Sequence, residues 1–261
     1  MSFALQPVAD PAAPLARRNP VAKLAAALLF ALPLVTTLDP VTPALALAVE
    51  LTVLPLFGVR YAVLARRAWP LLLAGAGVLI SLVLFAADRS GRLLVGLGPF
   101  DITSGVLITA LGLVLRLFAI ALPGVIVFAT TDPTDLADAL VQNAKAPARF
   151  AIGALAAFRL LPLLGEEWQM LTLARRARGV DTGIRGFPAT AFALLVGALR
   201  RGGRLAVAMD ARGFDSSATR TYARRQIFTS ADVLLMTGAL ALAAVVLATT
   251  VLTGLFRPII G

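Results

Sequence analysis

Long apolar runs broken by short charged or proline-bearing turns dominate the chain. A membrane span needs about 20 mostly apolar residues to cross a hydrocarbon layer about 30 Å thick. Five windows meet that pattern: Val21–Leu38, Val41–Val59, Ala68–Ala87, Ile102–Thr131 and Val233–Phe256. The second carries one charge, Glu50, and the fourth carries Arg116 and a kinking Pro123. Between the fourth and fifth windows lie two further apolar stretches, Phe150–Gly165 and Phe187–Leu199. Arg159 interrupts the first and Glu166-Glu167 follow it, and the second is short, so they read as helices lying against the membrane or a membrane partner. Two additional spans are the alternative for this region.

Helix punctuation is legible in the same region. In Thr131-Asp132-Pro133-Thr134-Asp135 the first aspartate can cap a helix, the proline suits its first position, and Asp135 sits where a capping-box acid belongs. The next helix is expected from near Pro147 to Arg178, with Gly179 as its left-handed stop. Another runs from near Pro188 to Arg212, stopped by Gly213. Asp232, with Ser230, is expected to cap the last span.

Composition turns this pattern into a class. Hydrophobic residues make up 59% of the 261 and charged residues 15%, against about 45–50% and about 25% in soluble domains. A soluble globule of this size could not hide so much apolar surface, and a disordered chain would not carry it. The fold class is therefore all-α, a polytopic membrane protein with about five transmembrane helices and coupling helices between the fourth and fifth.

Charge sets the expected orientation. The net charge is +10, and 14 of the 24 basic residues fall between 132 and 231. Arg17, Arg18 and Lys23 precede the first span, and Arg60, Arg66 and Arg67 separate the second from the third. By the positive-inside rule the N-terminus and the 132–231 region are cytosolic. The layout is then a disordered tail (1–20, with no signal-peptide pattern), a four-helix membrane part (21–131), the cytosolic region (132–231), and a final span with a short tail (232–261).

Candidate chemistry is sparse. There is no histidine and no cysteine, so a Ser-His-Asp set, His or Cys metal ligands and disulfides are excluded, and no catalytic residue, metal or cofactor is assigned. Gly202-Gly203-Arg204 lacks the spacing and lysine of a phosphate loop. Charges inside spans are functional by default, so Glu50, Asp88 or Asp101 among arginines could serve an intramembrane lipid-modifying enzyme. A structural ion pair between Glu50 and Arg116 accounts for two of these charges more simply. Tyr222-Ala223-Arg224-Arg225 offers too little aromatic and basic interleaving for a nucleic-acid site.

The remaining signal is a repeat. Ala177-Arg178-Gly179 and Ala211-Arg212-Gly213 each close a helix and are each followed by a hydrophobe and an aspartate. One such ending is an ordinary C-cap. Two of them offer a pair of guanidinium forks suited to carboxylates or carbonyls on partner surfaces.

These motifs carry a family resemblance. Thr130-Thr131-Asp132-Pro133 with Leu136 and Leu140, Pro147, Phe158-Arg159-Leu160-Leu161-Pro162-Leu163-Leu164 with Glu166, Ala174-Arg175-Arg176-Ala177-Arg178-Gly179 and Ala208-Met209-Asp210-Ala211-Arg212-Gly213-Phe214 resemble the transmembrane T component of energy-coupling factor (ECF) transporters, the EcfT/CbiQ family. The resemblance implies a non-catalytic subunit of a vitamin or transition-metal importer in the plasma (cytoplasmic) membrane of a prokaryote. It implies two ABC-type ATPase subunits docked at Ala177, Arg178, Gly179, Ala211, Arg212 and Gly213. It further implies a small substrate-binding S component on the apolar helix surface, for which Phe158, Leu161, Leu164, Phe192 and Leu195 are the candidates. The run Arg175-Arg176 departs from the more neutral residues expected there.

Overall fold

The computed structural model describes residues 13–37, 39–86, 90–95, 102–180, 183–214 and 221–255. Leu38, Asp88, Arg89, Asp101, Asp181, Asp215, Arg220, Arg257 and residues 1–12 of the expected tail lie outside the described residues. The helices in chain order are α1 (Pro20–Leu34), α2 (Val41–Val53), α3 (Tyr61–Phe85), α4 (Ser104–Thr130), α5 (Pro133–Gln142), α6 (Ala148–Ala177), α7 (Phe187–Ala211) and α8 (Ser230–Leu252). Before α4, β1 (Leu93–Val95) and β2 (Ile102–Thr103) form a short antiparallel pair in register Leu93 to Thr103. That ladder is the one departure from an all-α chain among the described residues.

The chain divides into two units, residues 133–226 and residues 6–132 with 227–261. In the second unit, α1 packs on α8 and α4, α2 on α4 and α8, and α3 on α4. One core cluster joins Phe30, Leu34, Ala46, Ala119, Ala243 and Val246. Another gathers Leu15, Leu54, Val59, Leu64 and Leu122. Small residues at the crossings let the helices approach closely, as membrane bundles require where lipid provides no hydrophobic drive between helices.

A polar knot ties three helix ends of this bundle. The Asn19 side chain caps α1 by accepting from the Val21 N–H. Its backbone N–H donates to Asp232 Oδ1 (2.9 Å). The other oxygen of Asp232 accepts from the Thr229 N–H (2.8 Å) and hydroxyl (2.7 Å), completing a capping box at the start of α8. Lys23, 2% exposed, donates from Nζ to the Thr130 carbonyl at the end of α4 (2.9 Å). Asn19, Lys23, Thr130 and Asp232 are buried and each has a partner, so the knot satisfies what burial would otherwise penalise.

In the 133–226 unit, α5 packs on α6 and α6 on α7. The Gln142 side chain clamps the returning chain: its Nε2 donates to the Arg224 carbonyl (2.8 Å) and its Oε1 accepts from the Gln226 N–H (2.9 Å). Arg224 also pairs with Asp135 (3.5 Å). Between α6 and α7, Arg201 meets Glu167 (3.1 Å) and the Trp168 and Phe187 rings lie 5.3 Å apart. A Cβ at Gly197 would sit 2.8 Å from Glu167 Oε1, so a side chain there would displace the Glu167 carboxylate.

The elements depart from the sequence reading in three places. The first two windows form helices of 15 and 13 residues, the second prolonged by a 3₁₀ turn at Leu54–Phe57. Helices that short span about 20 Å by rise per residue, less than the hydrocarbon layer. α6 has the expected extent, 30 residues through Glu166-Glu167, and departs only in its capacity to span. With Leu64–Phe85, α4 and α8, α6 is long and apolar enough to cross a membrane, whereas α7 is not. The third difference lies in the expected N-terminal tail. Ala13, Leu15 and Asn19 are buried there, because Leu15 joins a core cluster and Asn19 caps α1.

Candidate functional site

The two Ala-Arg-Gly endings have one geometry. Arg178 closes α6 at φ −90°, ψ 6°, and Arg212 closes α7 at φ −92°, ψ 10°. Gly179 and Gly213 follow in the left-handed region at φ 70° and 73°, where a side chain would be strained. The Gly179 N–H donates to the Arg176 carbonyl (3.0 Å) and the Val180 N–H to the Arg175 carbonyl (3.0 Å). At the other end Gly213 donates to Asp210 (2.9 Å) and Phe214 to Met209 (3.1 Å). Both are Schellman motifs, with the 6→1 and 5→2 bonds at the same offsets.

This matters chemically because the motif satisfies the last carbonyls with backbone alone. The arginines are left for other work. Ala177, Arg178, Gly179, Ala211, Arg212 and Gly213 are all exposed, and among the described residues neither guanidinium has an ion-pair or hydrogen-bond partner. Their neighbours differ. Arg176 is engaged, and Arg175 is half-buried, its Nε shielded.

The helices behind these ends show an uncovered apolar face. No residue of α6 is buried. Phe158 (45%), Leu161 (48%), Phe192 (68%) and Leu195 (55%) are exposed, and Leu164 is half-buried. Large exposed apolar surface of this kind marks contact with lipid or with another protein.

The structure does not bring Glu50 and Arg116 together. Arg116 donates to the Val35 carbonyl, and neither carboxylate oxygen of Glu50 has a hydrogen-bond partner among the described residues. The expectation of a pair came from matching depth in two spans. Arg116 instead reaches the carbonyl that the C-terminus of α1 leaves open. Sequence reading also passed over Lys23 and Asn19 as parts of a polar knot. An asparagine directly before Pro20 was a legible cap signal, whereas its bond to a residue 213 positions away was not.

The comparisons with known proteins converge on this region. The family model described as cobalt transport protein, CbiQ, matches residues 12–223, which include both Ala-Arg-Gly endings. The chain belongs to the CbiQ family, the T components of ECF transporters. It is 27% identical to the energy-coupling factor transporter transmembrane protein EcfT of Streptococcus thermophilus, over 87% of this chain and 90% of that one. To the EcfT of Bacillus subtilis it is 28% identical, over 73% of this chain and 80% of the relative. The EcfT of Limosilactobacillus fermentum is 35% identical over 49% of this chain; there the match spans about half of the relative's length (53%). A putative ABC transporter ATP-binding protein of Bifidobacterium longum is 28% identical over 60% of this CbiQ-family chain and 22% of its own length.

Proposed function

We propose that this chain is the coupling subunit of an ECF-type importer for a vitamin or a transition-metal ion. It carries the motion of two ABC-type ATPase subunits to a small substrate-binding S component, and hydrolysis takes place in the ATPases. One observation carries the reading: two helices of the 133–226 unit end in the same Schellman geometry with an exposed, unengaged arginine. A guanidinium fork at a rigid helix end can bind a carboxylate or carbonyl bidentately, and two such ends match two ATPase subunits. The names of the relatives agree, since they are transporter transmembrane proteins and, in one case, an ABC transporter ATP-binding protein. In this reading the apolar surface around Phe158, Leu161, Leu164, Phe192 and Leu195 receives the S component, and the N-terminus and 132–231 face the cytosol.

Retention of the ATPases on tagged chain at moderate salt is the test. Arg178→Glu or Arg212→Glu alone weakens retention, and the double change abolishes it, because each ATPase meets like charge in place of a fork. Exposed Arg204 on α7 is the control: Arg204→Ala leaves retention unchanged. If the double variant holds the ATPases as wild type does, the two endings are only helix caps and the assignment fails.

A further inference from the structure

Between α1, α2, α4 and α8 lies a half-open cavity of about 450 Å³, within the range of about 300–1,000 Å³ typical of small-molecule sites. Its wall is mostly apolar, with Phe30, Val49, Ile126, Leu235 and Leu242 among its lining. Three ionisable side chains also line it: Arg18, Lys23 and Glu50.

The chain topology gathers those three at one end. Arg18 precedes α1, Lys23 stands in its first turn, and Glu50 belongs to the last turn of α2. The Lys23 bond to Thr130 and the Asn19 bond to Asp232 bring the start of α1 to the end of α4 and the start of α8. Phe30 and Leu242 lie about 15 Å and about 18 Å further along their helices at 1.5 Å per residue. The cavity therefore has a charged end and a long apolar end, the plan of an amphiphile.

The charges say which amphiphile. Lys23 is committed to the Thr130 carbonyl. Glu50 is not committed: both its oxygens are shielded from solvent, and no described group donates to either. A carboxyl in such surroundings keeps its proton until a cationic donor reaches it. Arg18 is half-buried on the same wall, within coulombic reach of Asp232 and not bonded to Glu50. A purely acidic head or a bare hydrocarbon would offer Glu50 no cation. A head with an ammonium and a phosphate answers both groups.

We propose that the cavity holds one acyl chain of a zwitterionic aminophospholipid, with its ammonium on Glu50 and its phosphate toward Arg18. The site is independent of whether ATPases dock at Arg178 and Arg212. A membrane component bound between α1, α2, α4 and α8 would fill the space along Phe30 and Leu242 and supply a donor that no described residue gives Glu50.

Native mass spectrometry of the detergent-purified full chain tests this with phosphatidylethanolamine and phosphatidylglycerol of identical acyl chains. Phosphatidylethanolamine is retained in preference by about tenfold or more, the scale of one charge-assisted hydrogen bond, and Glu50→Leu removes that preference. Gly238 lines the cavity, and a Cβ there meets nothing within 4 Å, so Gly238→Leu fills the space and displaces the lipid. Equal retention of the two lipids by wild type, or unchanged retention by Gly238→Leu, overturns the proposal. A measurement on the unaltered chain guards against misfolded variants. Phosphatidylethanolamine with a diazirine on its acyl chain labels the peptides of Phe30 or of Leu235–Leu242, whereas labelling confined to the exposed face of α3 overturns it.

Discussion

Helices α1 and α6 are both apolar, and they use that property in opposite ways. α1 has 15 residues and buries seven of them, Lys23 included. α6 is twice as long and buries none. In the bundle, apolar side chains meet one another and polar ends are tied by Asn19, Lys23, Thr229 and Asp232. In the 133–226 unit, order comes from a few local devices, and the apolar faces of α6 and α7 remain free for another surface. Hydrophobicity alone thus does not separate a helix that builds a core from one that leaves its apolar face uncovered; the difference lies in what it packs against.

Substitutions sharpen that contrast when they move stability in one region and association in the other. The largest effect is expected in the bundle. Asp232→Ala leaves the buried Asn19 N–H and the Thr229 N–H without their acceptor, a loss of about 3 kcal/mol, read as a lower melting temperature of the purified chain. Gln142→Ala releases the clamp on Arg224 and Gln226, for about 1–2 kcal/mol. It should raise hydrogen exchange at the Gln226 amide and leave the bundle's protection unchanged. Gly179→Ala or Gly213→Ala forces a side chain into the left-handed region, at about 1 kcal/mol each. The melting temperature then barely moves, and the reduced retention of ATPases is the signal. The smallest effect is a coupling. Glu50→Gln and Arg116→Gln should add within about 0.5 kcal/mol in a double-mutant cycle, because the two side chains do not pair. A coupling well above that would restore the ion pair and erase one contrast between the regions.

Much of the 133–226 unit was legible in the chain. Pro133, Pro147, Gly179, Pro188 and Gly213 act through local backbone chemistry, and α5, α6 and α7 begin and end at or beside them. The paired Schellman endings follow from the same local rules. α6 extends through Arg159 and Glu166-Glu167, as its start near Pro147 and its stop at Gly179 indicate. On an uncovered helix those charges need no burial, and the helix continues through them.

What the sequence determined by itself is therefore local or compositional: a membrane class set by how little charge dilutes the apolar runs, and helix ends set by proline and glycine. Tertiary structure decided the long-range polar partners. Asn19 meets Asp232, Lys23 meets Thr130, and Arg116 takes the Val35 carbonyl while Glu50 faces a cavity. These partnerships depend on the rotation and register of packed helices. A half-turn of one helix exchanges its partners without altering a single hydrophobic window, so no pattern along the chain can encode them.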